Sequence, residues 1–280
     1  MVTEVVLADG TTISFQTMGA GPLVVVCSGG PSTTFEYLLD DLQPLASDFT
    51  LAFHHYRGSG RSSSALSASY TFEQLAHDAH ALAAALGFDT FDVLAHSMGG
   101  MVALSTAIEH PMSVRRMVLI DCSPSGVPSR MAMPTIKALG VRRLGKVCGR
   151  AAKYVLWWRW RPESAERTRA RFAIMETMQE GAPEHREEVR RREVLADNDN
   201  APHLERHAST FDVVDRLASI QTPTLVVYGT LDAPFVAGSR LLLDHLPNAV
   251  EVRLAGTGHH PLVEDHDHVI AEIRRFLKSA

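Results

Sequence analysis

Ser97 sits in the run Asp92-Val93-Leu94-Ala95-His96-Ser97-Met98-Gly99-Gly100, between a β-branched, apolar stretch and a helical one. Small residues, Ala95 and Gly99, stand two positions to either side of it. A serine on such a strand-to-helix turn is held in strained backbone, and bulky neighbours at those positions would collide. The strain lifts the hydroxyl above the sheet, and the helix N-terminus behind it favours negative charge. That is a setting for a nucleophile. A nucleophilic serine also needs a base, an acid to orient the base and donors for an oxyanion. Downstream, Asp232 ends Tyr228-Gly229-Thr230-Leu231-Asp232, and His259 follows Gly256-Thr257-Gly258. Serine, acid and histidine therefore come in the order expected of this turn, the acid and the histidine each just past a strand-like run.

Two alternatives stay open at this point. The acid is Asp232 or Asp121, the latter just past the apolar run 117–120; Asp232 is preferred because Gly229-Thr230-Leu231 is a turn that frees the carboxylate. The base is expected at His259, with His260, which precedes Pro261, at the pocket rim. The oxyanion donors are expected to be two backbone N–H groups. One is that of Met98, directly after the serine, and the other that of Gly30 in Cys27-Ser28-Gly29-Gly30-Pro31, where glycines let an amide face the substrate.

These residues need a scaffold of strands and crossover helices. The run 2–7 and the run 12–16 read as a hairpin, and 22–27, 50–54, 91–94 and 117–120 as strands. Helical patterns occupy 35–46, 71–86 (Thr71 as N-cap, Gln74 completing a capping box) and 99–110, the last ended by Pro111. The same grammar resumes with a strand at 224–228, a helix at 235–246, a strand at 250–254 and a helix at 265–278. Between the halves the strand runs vanish. Residues 130–210 hold 17 Lys and Arg against 11 Asp and Glu, so the net −5 of the whole chain leaves −11 outside them. The expected organisation is an α/β core, 1–128 plus 211–280, carrying a helical cap at 129–210.

At 280 residues, 45% apolar and 21% charged, the composition is that of a globular chain rather than a disordered one. The mild acidity argues against a dedicated nucleic-acid binder. No apolar run approaches a membrane span, and the start MVTEVVLADG lacks the pattern of a secretory signal, so a cytoplasmic location is expected. Cys27, Cys122 and Cys148 are too few and too irregularly spaced for a disulfide framework. The cluster His259, His260, Glu264, Asp265, His266, Asp267 and His268 lacks a helical H-x-x-x-H spacing with a third ligand. No metal and no cofactor are expected, and the expected partner is a small-molecule substrate. Self-association into a homo-oligomer is left open.

The motifs resemble the α/β-hydrolase superfamily over nearly the whole chain, and within it the proline-iminopeptidase-like branch. That branch carries a His-Gly-Gly-Pro oxyanion loop, a D-x-R-G-x-G-x-S loop and a helical cap. The matching stretches here are Ser28-Gly29-Gly30-Pro31 and His55-Tyr56-Arg57-Gly58-Ser59-Gly60-Arg61-Ser62. Serine replaces the branch's histidine at 28, histidine replaces its aspartate at 55, and Met98 follows the serine where the branch has tryptophan. The resemblance implies a mostly parallel twisted sheet with helices on both faces and an inserted cap. It also implies a cap carboxylate for a substrate ammonium group, with Glu176, Glu180 and Glu205 as candidates. Given the replacements, ester, lactone or small amide hydrolysis is expected ahead of N-terminal proline release. Carbon–carbon bond hydrolysis, cofactor-free oxygenation and non-catalytic ligand binding are the rival readings.

All three tryptophans, Trp157, Trp158 and Trp160, fall in the cap. Together with His96 and His260, Trp157 and Trp158 are expected to wall the substrate pocket, or to glue the cap to the core. The charge run 184–193 reads as a solvated helix face.

Overall fold

The structure is a computed structural model that describes residues 3–31, 33–158, 174, 177–178, 181, 185, 187–188 and 198–279. Its frame is a sheet of eight strands in the order β1-β2-β4-β3-β5-β6-β7-β8. These are β1 Thr3–Val6, β2 Thr12–Met18, β3 Leu23–Cys27, β4 Thr50–His54, β5 Phe91–His96, β6 Val114–Ile120, β7 Thr224–Gly229 and β8 Ala249–Leu254. The first hairpin pairs antiparallel, β2 pairs antiparallel with β4, and every pair from β4 onward is parallel. Central strands β3, β5 and β7 are buried along their whole length, which is why they read as unbroken apolar runs. Edge strand β8 alternates buried and exposed positions over its second half instead.

Alternation survives inside the central strands as a division between two cores. Val25, Val93, Ala95, Leu119 and Val226 face one core with α1 (Phe72–Ala85) and α2 (Gly99–Glu109). Val24, Val26, Leu94, Val118, Ile120 and Val227 face the other, with the segment 35–47 and α6 (His266–Lys278). Each fully buried Val, Leu or Ile side chain contributes roughly 1.5–3 kcal/mol, so the sheet is held from both sides.

Local signals behave as their chemistry dictates. The Thr71 hydroxyl accepts the Gln74 N–H at 3.2 Å and starts α1, while the Gln74 amide turns to Asp78 instead of closing the box. Gly87, at φ 85°, ends it. The expected helix at 35–46 is corrected to three short pieces, two of them 3-10, spanning Phe35–Leu38, Leu39–Leu42 and Gln43–Ser47. Phe35, Leu38, Leu42 and Leu45 are all buried, and their mixed spacing of three and four serves 3-10 turns as well as an α-helix. Pro44 lacks the N–H that a continued helix would use. The strands expected at 91–94 and 117–120 are each longer in the structure, β5 reaching His96 and β6 starting at Val114 across a register shift between Phe91 and Val93.

After β6 the chain leaves the sheet for α3 (Pro128–Trp158) and returns through α4 (Ala201–Thr210). The two crossings are zipped together. The Gly126 N–H donates to the Phe211 carbonyl at 2.9 Å, and the Val213 N–H to the Pro124 carbonyl at 3.0 Å. Arg130, on the first turn of α3, pairs with Asp212 at 2.5 Å and Asp215 at 2.9 Å. The α3 helix packs on α5 (Ala233–His245). Trp160, Glu176, Glu180 and most of the charge run lie outside the described residues, as do the side chains of Trp157 and Trp158. No helix among the described residues is long and apolar enough to cross a membrane.

Candidate active site

Ser97 occupies the turn between β5 and α2 at φ 56°, the left-handed region that a side chain enters only under constraint. Its N–H donates to the Ile120 carbonyl at 3.0 Å, which pins the turn to the end of β6. Gly99 shows why the flanking residue is small. A Cβ there would lie 2.2 Å from the Cys27 carbonyl oxygen, so α2 can start against the end of β3 only without a side chain.

His259 and Asp232 meet this serine from the C-terminal ends of neighbouring strands. The Ser97 Oγ lies 3.0 Å from His259 Nε2, and His259 Nδ1 lies 2.6 Å from Asp232 Oδ2. Asp232 directly precedes α5 and is fully buried; His259 is buried beneath Phe235, with ring centroids 4.6 Å apart. The loop ahead of His259 is held by Glu264, whose carboxylate accepts the Gly258 N–H at 3.0 and 3.1 Å. His260 lies beside His96, its ring centroid 5.4 Å away.

Asp121 stands immediately behind. It too has positive φ, 45°, and its Oδ1 accepts the Gly229 N–H at 3.0 Å. Asp121, Asp232 and His259 each offer a donor atom within 4.8 Å of the others, the one such triad among the described residues. A metal there would compete with the His259–Asp232 hydrogen bond. Burial, and then the charge of Asp232, holds the Asp121 carboxyl well above the usual carboxylate range. Burial also raises Asp232, against the pull of the His259 ring. Asp121 Oδ2 and Asp232 Oδ1 are buried without hydrogen-bond partners, the pattern left when two carboxyls share one dry space. In the cluster of histidines and carboxylates nearer the C-terminus, His266 bonds the Asp41 carbonyl and Asp267, and His268 bonds Asp265.

The N–H groups of Gly30 and Met98 have no hydrogen-bond partner among the described residues. Gly30 adopts φ 54°, and its neighbour Gly29 lies against the serine: a Cβ on Gly29 would sit 3.0 Å from that of Ser97. His96 lines a small cleft with His260 and Tyr37. It is 3% exposed, and its Nε2 lies 2.9 Å from the His259 carbonyl oxygen. Its Nδ1 lies 2.7 Å from the hydroxyl of Tyr37, a residue no sequence motif singled out. Burial, then the neighbouring His259 and His260, pushes the His96 imidazole well below its ordinary value, so it is neutral.

Sheet order, elbow and connectivity together make this an α/β-hydrolase-fold protein. The sequence profile of the alpha/beta hydrolase fold matches residues 22–146. A Rhizobium rhizogenes protein carrying the name carbamate hydrolase RutD is 27% identical over 91% of this chain and 92% of its own. The proline iminopeptidase-related protein of Thermus thermophilus superposes with a TM-score of 0.77 over 99% of this chain and 96% of that one, at 20% identity. Est816, described as an N-acyl homoserine lactone degrading enzyme, superposes at 0.70 over 98% of this chain and 100% of its own, at 25% identity.

Proposed function

We propose that this chain is a serine hydrolase cleaving an ester, lactone or small amide bond of a small molecule through an acyl-enzyme. The observation that carries the reading is the hydrogen-bonded chain from Ser97 Oγ to His259 Nε2 at 3.0 Å and from His259 Nδ1 to Asp232 Oδ2 at 2.6 Å. In the first half-reaction Ser97 Oγ attacks the carbonyl carbon while His259 Nε2 takes the hydroxyl proton. The carbonyl oxygen becomes an oxyanion, met by the N–H groups of Gly30 and Met98. Collapse breaks the bond to the leaving group, which receives the proton from His259. Water then repeats the sequence on the acyl-enzyme, releasing the carboxylic acid and restoring Ser97. Asp232 holds the Nδ1–H tautomer and offsets the imidazolium charge, and Asp121 stays outside the relay.

Support for small-molecule hydrolysis comes from the relatives, since carbamates and lactones both present an acyl carbon. In this reading residues 129–210 act as a cap over a core of 1–128 and 211–280, with Trp157, Trp158, His96 and His260 at the pocket. A panel of p-nitrophenyl esters, lactones and proline anilides tests the reading. Ester or lactone turnover that vanishes in Ser97→Ala is expected. Equal turnover by that variant removes the serine from the chemistry, and faster turnover of the anilides moves the protein to the aminopeptidases.

A further inference from the structure

Three hydrogen bonds join the glycine loop to the histidine loop behind Ser97. The Gly29 N–H donates to Tyr37 Oη at 2.8 Å, Tyr37 Oη lies 2.7 Å from His96 Nδ1, and His96 Nε2 lies 2.9 Å from the His259 carbonyl oxygen. With His96 neutral, their direction is fixed by chemistry. A backbone amide only donates and a carbonyl only accepts, so His96 carries its proton on Nε2 and Tyr37 gives its own to Nδ1. One proton arrangement satisfies every member.

Thr33 completes the loop's anchorage by donating its hydroxyl to the Gly29 carbonyl at 2.6 Å. That carbonyl shares a planar peptide unit with the Gly30 N–H, so fixing the one fixes the direction of the other. Gly29 is thus held on both backbone groups, by Tyr37 and by Thr33. A side chain at Gly29 would crowd this arrangement: a Cβ there would lie 3.0 Å from both Ser97 Cβ and Tyr37 Oη, and 3.2 Å from His96 Nδ1.

We infer that Tyr37 and His96 are positioning residues, a fixed relay that aims the oxyanion loop and sets the backbone of the base His259 against it before substrate arrives. The inference rests on the acyl-transfer reading above. Neither residue touches the reacting atoms. Their effect is preorganisation, which lowers the barrier only where donors already point at the developing charge.

The test uses the full chain with p-nitrophenyl acetate, and thermal unfolding alongside. Removing one oxyanion donor outright costs about 100- to 1,000-fold in kcat, and loosening its support costs less. Tyr37→Phe is therefore expected to lower kcat about 10- to 100-fold with KM unchanged within about threefold. His96→Gln, which keeps one donor and one acceptor, is expected to outperform His96→Ala. In the double variant Tyr37→Phe with His96→Ala the losses are not expected to multiply, because one relay is already broken. A Tyr37→Phe enzyme with kcat within twofold of wild type, or losses that multiply, overturns the inference. Should Tyr37→Phe fail to fold, Thr33→Val carries the same test, and an unchanged kcat there overturns it equally. If Ser97→Ala retains full turnover, the hydrolase reading itself has failed. If Ser97→Ala is dead while the Tyr37 and His96 variants are unaffected, only the relay has.

Discussion

Two buried carboxyls meet behind His259, and their environments set them apart. Asp232 faces the imidazole at 2.6 Å, so its negative charge is offset whenever the ring takes a proton. Asp121 faces the Gly229 amide on one oxygen and nothing on the other, and burial with Asp232 beside it keeps it protonated far above the ordinary value of 3.8. Asp232→Asn is therefore expected to lower kcat by about 100- to 10,000-fold, the scale of a lost orienting acid, whereas Asp121→Asn leaves kcat within about tenfold. Collapse of kcat in Asp121→Asn with Asp232→Asn unharmed would exchange their roles. Stability separates them as well. An acid whose folded value is raised binds protons more tightly when folded, so its burial weighs against folding as pH rises above 3.8. Relative to wild type, Asp121→Asn should gain stability as pH rises from 3.8 towards neutrality, measured by denaturant titration; a constant difference across that range would contradict a protonated Asp121.

At the scale of elements, the site depends on how closely α2 approaches the ends of β3 and β6. Gly99→Ala would drive a methyl to 2.2 Å from the Cys27 carbonyl, and Gly100→Ala to 2.5 Å from Cys122. Backbone must move in the first case, so a loss of about 1–3 kcal/mol or more is expected, with the Ser97 turn displaced and activity lost together. Thermal unfolding and esterase assays check this jointly, and a fully active, equally stable Gly99→Ala would show that the elbow tolerates a side chain. That tight packing is also why the elbow is legible from sequence. Strain at one turn demands small residues at fixed local spacing, so Ala95 and Gly99 announce Ser97. The order of Asp232 and His259 was legible for a similar reason, because each follows a recognisable strand. The choice between Asp232 and Asp121 was not. Both follow strands, β6 and β7 lie side by side with Ile120 opposite Val227, and only their three-dimensional placement tells which carboxyl faces His259. Tyr37 is further from view, since it reaches His96 across 59 residues of chain from a segment whose apolar spacing suits both an α-helix and the 3-10 turns that form.

Over the whole molecule, two cores clamp one sheet, and a buried histidine ties stability to pH. His54, at the end of β4, is 1% exposed with both ring nitrogens lacking a hydrogen-bond partner. Burial, reinforced by the charge of His55, pushes it from 6.5 down to about 4. Below pH 6.5 the unfolded chain gains a proton that the folded one refuses, so stability falls as pH drops and the loss is complete near pH 4. At about 1.4 kcal/mol per unit the loss amounts to roughly 3 kcal/mol. His54→Phe should flatten the stability profile over that window, and an unchanged slope would place the acid sensitivity elsewhere. The net charge is −11 outside residues 130–210 and positive within them, and the hydrogen bonds of the Gly126 and Val213 amides join the two ends of that stretch. The most direct test of the account is covalent labelling by a fluorophosphonate, mapped by peptide mass spectrometry in wild type, Ser97→Ala and His259→Ala. The account predicts a single label on Ser97, absent in Ser97→Ala and strongly slowed in His259→Ala. Absence of label in the wild type, or label that survives in Ser97→Ala, would contradict it.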